Sequence, residues 1–115
     1  MKRYCLALDL KEDAKLIAEY EQFHREVWPE IKKSISDSGI TDMEIYRFDN
    51  RLFMIMETDD SFSFEHKAAM DNANPKVQEW ERLMWKFQQP LKNAKPGEKW
   101  VLMEKIFCLN QNLQN

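Results

Sequence analysis

The chain has 115 residues, with 20 acidic against 17 basic side chains and a formal net charge of −3. That length fits one domain, and no Lys/Arg block of the kind that tracks phosphates is present, which argues against a nucleic-acid partner. No run approaches the roughly 18 apolar residues needed to span a bilayer, so a membrane partner is not expected either.

Residues 2–10 alternate as a strand does, with Tyr4, Leu6, Leu8 and Leu10 on one face and Cys5 and Ala7 on the other. The basic start soon meets Asp9, Lys11 and Glu12 with no small-residue cleavage site, so a signal peptide is not expected and the cytoplasm is. Asp13 is a candidate N-cap. From Ala14 to about Ser38, apolar residues recur at three- and four-residue steps, which predicts an amphipathic helix interrupted at Pro29. Gly39 is a natural stop. Residues 41–48 and 51–58 read as two strands joined by Asp49-Asn50, a pair suited to a two-residue hairpin. Helical signals return at 61–72, with Ser61 or Ser63 as cap. They resume at about 76–88 after Asn74-Pro75, and Pro90 ends them. The loop NAKPGEK leads to a last strand over 99–109.

The order strand, helix, strand, strand, helix, strand predicts an α+β, ferredoxin-like βαββαβ fold: a four-stranded antiparallel sheet with two helices on one face. The third and fourth strands are apolar on both sides. Helices cover one face only, so the other should meet a second copy, which predicts a homodimer. The first and last strands then become neighbours, which could bring Cys5 and Cys108 near each other. Neither cysteine has metal-ligand spacing, and in a reducing compartment both are expected as thiols.

Tyr20 and His24 share a helical face, offering a hydroxyl and an imidazole that point the same way. The bland reading of His24 is a core-edge histidine; the functional one is acid/base catalysis near neutral pH. His66 lacks such company and is read as surface. Trp80 and Trp85 are either packing residues or a platform for the C–H face of a pyranose. Glu44, Glu57 and Glu104 lie inside strands and need partners, for which Arg47, Arg51 and Lys105 are candidates. With two glycines in all, no HExxH and no His/Cys cluster, no cofactor and no metal is implied.

The segment Tyr20-x-x-x-His24, followed by Val27-Trp28-Pro29-Glu30, resembles the L-rhamnose mutarotases, small dimeric αβ-barrel proteins. The resemblance extends through RLFMIMET, the VQEW segment around Trp80 and the terminal EKIF. It implies cofactor-free interconversion of the α and β anomers of a deoxyhexose, with L-rhamnose first and L-fucose as the alternative. It also implies His24 as proton donor and Tyr20 and Trp80 as sugar contacts. Two positions depart from the family pattern. Met43 stands where the family has a second tyrosine, and Glu81 stands where it has the second tryptophan of a pair. Both are carried as substrate-contact positions whose contacts must differ. The same fold also hosts cofactor-free monooxygenases and haem-degrading proteins, and a non-catalytic binding domain is the third reading.

Overall fold

The fold is that of a computed structural model, described for residues 1–110. Strand β1 (Lys2–Leu10) is followed by helices α1 (Ala14–Arg25) and α2 (Pro29–Asp37). The hairpin strands β2 (Ile40–Phe48) and β3 (Arg51–Thr58) come next, then helices α3 (Phe64–Asn72) and α4 (Pro75–Trp85). Two short strands, β4 (Gln88–Gln89) and β5 (Val101–Leu102), close the order. The sheet runs β2-β3-β1-β4, with β5 also on β1, and every pairing is antiparallel. This is the ferredoxin-like α+β arrangement expected from the element order.

The local signals act as their chemistry requires. The Asp13 carboxylate accepts from the amides of Lys15 and Leu16 at 2.9 and 3.2 Å, which starts α1. Ser63, rather than Ser61, caps α3 by accepting from the His66 amide at 3.0 Å. Asn74 caps α4, with Pro75 in the first helical position, where no amide is needed. Asp49 takes φ +54° in the hairpin turn, a left-handed conformation that Asp tolerates. Gly39 ends α2 at φ +99°, and a Cβ there would stand 3.0 Å from the Asp59 carboxylate.

The helix predicted from Ala14 to about Ser38 is two helices, and the two helical stretches predicted on either side of Asn74-Pro75 are α3 and α4. Pro29 does not bend a continuous helix; α1 ends at Arg25 and α2 begins at Pro29 itself. The pyrrolidine ring disfavours helical backbone in the residue before it, and Trp28 accordingly sits at ψ 135°. Pro29 then becomes the first residue of the new helix.

The helix-facing side of the sheet carries Leu6, Leu8, Leu10, Leu52, Met54 and Met56, all buried. One core cluster joins Leu10 and Leu52 to Tyr20, Ile31, Val77, Trp80, Met84 and Phe87. A second, at the other end of the sheet, gathers Leu6, Ile40, Met54, Met56 and Phe62. The opposite face shows Cys5, Ala7, Phe53, Ile55, Tyr46 and Phe48, none of them buried.

The last strand is far shorter than residues 99–109. Only Val101 and Leu102 pair with β1, extended by the Met103 amide on the Cys5 carbonyl at 2.8 Å. Gln88 and Gln89 take the neighbouring stretch of that edge, opposite Leu10 and Asp9. Ile106 and Phe107 lie 93% and 75% exposed. On this register Cys5 faces Met103, not Cys108, and the two cysteines are not joined in a disulfide.

The strand carboxylates also find partners other than the nearest arginines. Glu57 pairs with Arg3 at 3.1 Å, Arg51 grips Asp9 at 2.8 and 3.2 Å, and Arg47 reaches Glu21 of α1 at 2.8 Å. Strand parity explains this. Arg47 points to the helix side and Glu44 to the open side, so they cannot meet, whereas Asp9 and Arg51 are cross-strand neighbours. Glu44 instead accepts from the Tyr46 hydroxyl at 3.3 Å.

Candidate functional site

The last two turns of α1 present Tyr20, Phe23 and His24 toward α4. The 3.6-residue repeat puts Tyr20 and His24 one above the other, with ring centroids 4.3 Å apart. From α4 comes Trp80, whose ring lies 5.7 Å from His24 and 6.4 Å from Phe23. Trp28, held in extended backbone by Pro29, places its ring 5.0 Å from Trp80. The split at Pro29 therefore has a positional consequence: Trp28 is brought against the site's aromatic wall. Trp28 thus packs on Trp80, with the Lys76 ammonium 5.8 Å from its own ring.

Two polar groups punctuate this apolar nest. His24 Nδ1 lies 2.9 Å from the Tyr20 carbonyl oxygen. A carbonyl can only accept, so Nδ1 carries the hydrogen and the neutral ring keeps its lone pair on Nε2. The Tyr20 hydroxyl is met by the Gln88 side-chain amide at 3.4 Å. Gln88 Oε1 is buried with no hydrogen-bond partner among the described residues.

Burial moves both titrating groups. It pushes the Tyr20 phenol up to about 12, only partly offset by the hydrogen bond from Gln88. It lowers the His24 imidazole from its ordinary value, against a smaller opposing pull from the Tyr20 carbonyl. At neutral pH Tyr20 is therefore a protonated hydroxyl, able to donate a hydrogen bond but not to act as a base. A His24 imidazolium, when formed, is a stronger acid than a solvated one.

Of the residues singled out by sequence, Tyr20, His24 and Trp80 come together. Glu81 follows Trp80 at the half-exposed rim, where its carbonyl accepts from the Lys99 ammonium at 3.3 Å. Met43 faces the helices but packs against the second core cluster, opposite Met56 and away from the Tyr20–His24 pair. Trp85 stands exposed under the Lys99 ammonium, 4.9 Å from its ring. His66 is on the surface. Gln88 was not singled out by sequence. Its only signal is a polar residue beside Phe87, too weak to mark burial; the helix expected to run to about residue 88 and end at Pro90 stops at Trp85, and Gln88 lies in β4. Among the described residues, no group of three or more His, Cys, Asp or Glu side chains is arranged to hold a metal ion.

Comparison with known proteins identifies the family. Residues 3–109 match the family model described as L-rhamnose mutarotase. An L-fucose mutarotase of Xanthomonas campestris pv. campestris is 46% identical over 113 residues, covering 96% of this chain and 90% of the relative. An L-rhamnose mutarotase of Phocaeicola vulgatus is 34% identical over 98 residues, covering 84% and 85%. In structure, an L-rhamnose mutarotase from Formosa agariphila superposes with a TM-score of 0.69 over 96% of this chain and 100% of that one. At 19% identity this last likeness speaks to the fold.

Proposed function

Because the chain belongs to the L-rhamnose mutarotase family, we propose that it interconverts the α and β anomers of a free deoxyhexose, with His24 moving the proton at the ring oxygen. One observation carries the assignment to His24. Its Nδ1 is committed to the Tyr20 carbonyl, which leaves Nε2 as the single nitrogen free to exchange a proton with a ligand.

The reaction needs little more than that. Ring opening breaks the C1–O5 bond while O5 gains a proton from His24 and the C1 hydroxyl passes one to water. Closure on the other face of the aldehyde reverses both transfers. A group at O5 is therefore the acid in opening and the base in closing, and one imidazole returns to its starting state after each cycle. Tyr20, kept protonated by burial, holds a sugar oxygen by donating to it. Trp80 offers an apolar ring to the C–H face of the sugar. Glu81, at the rim beside Trp80, we assign to discrimination between sugars rather than to the chemistry, whereas Met43 packs in the second core cluster and takes no part in that contact. The 46% identity to an L-fucose mutarotase moves L-fucose ahead of L-rhamnose as the first sugar to test.

The second copy belongs to the same proposal. The open sheet face carries Phe53, Ile55, Tyr46 and Phe48, the last 86% exposed, and the apolar segment 106–109 is uncovered. Apolar surface on this scale supports a homodimer joined through that face, with the segment after Met103 pairing beyond its own subunit. The thiol state of Cys5 and Cys108 suits the cytoplasm, which cell fractionation would check.

The decisive experiment is NMR saturation transfer between anomers of L-fucose and L-rhamnose, with wild type and His24→Ala. Exchange of either sugar faster than in buffer, and lost in the variant, is the expected result. No acceleration of either sugar by wild type rejects the activity.

A further inference from the structure

Three rings meet the Trp80 indole, each at a steep angle. Phe23 stands 6.4 Å away at 88°, His24 5.7 Å at 67° and Trp28 5.0 Å at 71°. Edge-to-face contacts of this kind favour a defined ring orientation beyond what burial alone gives. Phe23 and His24 both come from the last turn of α1. Trp28 comes from outside it, at the head of α2, whose Ile31 is buried in the same core cluster as Trp80.

Each of these rings has a support of its own. Phe23 is backed by Phe87 at 5.8 Å, and His24 by Tyr20 at 4.3 Å. Trp28 is backed from α4. The Lys76 ammonium lies 5.8 Å from its ring, and Lys76 and Trp80 are four residues apart, on one face of that helix. The Trp28 indole is therefore held on α4 at two points one turn apart. The backbone directs it there: Glu26 at ψ 71° and Trp28 at ψ 135° both leave the helical region, and Pro29 enforces the second departure.

His24 depends on such support. Its hydrogen bond to the Tyr20 carbonyl runs through one ring nitrogen, and a ring held at one atom can still swing about that bond. Trp80 stands beside the ring and restricts the swing. An indole braced by Phe23 and His24 alone would move with α1. Braced by Trp28 as well, it keeps its place relative to α2 and α4.

We propose that Trp28 is a positioning residue: it fixes the Trp80 indole and, through it, the direction of His24 Nε2. The effect on turnover rests on the anomer-exchange reading, whereas the effect on ring geometry does not. The helix break at Trp28-Pro29 then ties the proton-moving ring to two helices besides its own.

Trp28→Leu in the full-length protein tests this, with Phe62→Leu as a control from the second core cluster. The first readout is the nuclear Overhauser effect between the ring protons of Trp80 and His24, measured below the melting temperature of every variant. It should be lost in Trp28→Leu and kept in Phe62→Leu. The second is anomer exchange of L-fucose and L-rhamnose. Trp28→Leu should lower kcat by about tenfold or more, since small misplacements at a reacting centre are costly. Trp28→Phe should recover most of that loss, because it keeps an aromatic edge on Trp80. An unchanged Overhauser effect in Trp28→Leu overturns the proposal. So does an equal loss in Phe62→Leu, which would mean a general loosening of the core. A change confined to KM would make Trp28 a binding contact and overturns the positioning role as well. If the wild type accelerates neither sugar, the activity reading fails, and the Overhauser comparison still decides whether Trp28 sets the ring geometry. Should Trp28→Leu not fold, Trp28→Met carries the same comparison.

Discussion

His24 Nδ1 sits 2.9 Å from the carbonyl oxygen of Tyr20, one helical turn before it. The contact is local, yet it decides the chemistry of the ring. It fixes the imidazole's orientation, places the neutral tautomer's hydrogen on Nδ1 and leaves the lone pair on Nε2. Imidazole ¹⁵N shifts of the neutral protein should therefore show a protonated Nδ1 and a pyridine-type Nε2 for His24. The opposite pattern would detach the ring from Tyr20.

Removing that ring should remove most of the activity. General acid–base groups typically contribute about 10²–10⁴-fold, and His24→Gln should lower anomer exchange on that scale for L-fucose and L-rhamnose alike. The half-buried site should accept the glutamine without unfolding, as a matched circular dichroism melt would establish.

The direction of the pH profile tests which proton His24 handles. Burial lowers its pKa from 6.5, so at neutral pH most rings are uncharged. As donor to O5, His24 must start as imidazolium. The value of kcat/KM should then rise as pH falls, with its midpoint below 6.5. A profile that instead rises with pH through this range would assign His24 to the C1 hydroxyl as base.

The same shifts couple folding to pH. For Tyr20 the folded pKa, about 12, lies above the ordinary value of 10.0. The unfolded chain ionises first, so stability is fully present below pH 10.0 and is lost as pH rises toward 12. For His24 the folded pKa is depressed, so its share is present above 6.5 and is lost as pH falls below that value. Tyr20→Phe should flatten the alkaline limb of a denaturant-stability curve, and His24→Phe the mildly acidic one. Unchanged limbs would mean that neither group is as buried as its packing indicates.

Trp80 joins the site to the core, with 9% of its surface exposed and Phe23, His24 and Trp28 against it. Trp80→Ala should cost about 3–5 kcal/mol of unfolding free energy, as large-to-small aromatic changes in cores do. Trp80→Phe should retain most of the stability while weakening sugar affinity, which would separate the packing role from the contact role in one pair of measurements.

The open sheet face predicts its own phenotype. Phe48→Glu should shift a dimer toward monomer in sedimentation equilibrium without lowering monomer stability, because Phe48 packs against nothing in its own subunit's core. A wild type that sediments as monomer at micromolar concentration would remove the dimer from the proposal.

Much of this molecule is legible in the chain because the decisive forces are local. Alternation across Tyr4, Leu6, Leu8 and Leu10, the Asp13 cap, the Asp49 turn and the three- and four-residue steps through Tyr20 and His24 are short-range consequences of backbone geometry, and each is realised. Other features turn on which distant groups meet. Parity and register, not sequence proximity, pair Arg51 with Asp9 and Arg47 with Glu21. Register on β1 sets Cys5 opposite Met103 and not Cys108. Tertiary packing alone buries Gln88 and brings its side-chain amide to the Tyr20 hydroxyl. Sequence therefore determined the elements and the Tyr20–His24 pair, because one helical turn is enough to bring them face to face. Only the tertiary structure set what surrounds that pair, because burial and electric field are sums over neighbours from every part of the chain.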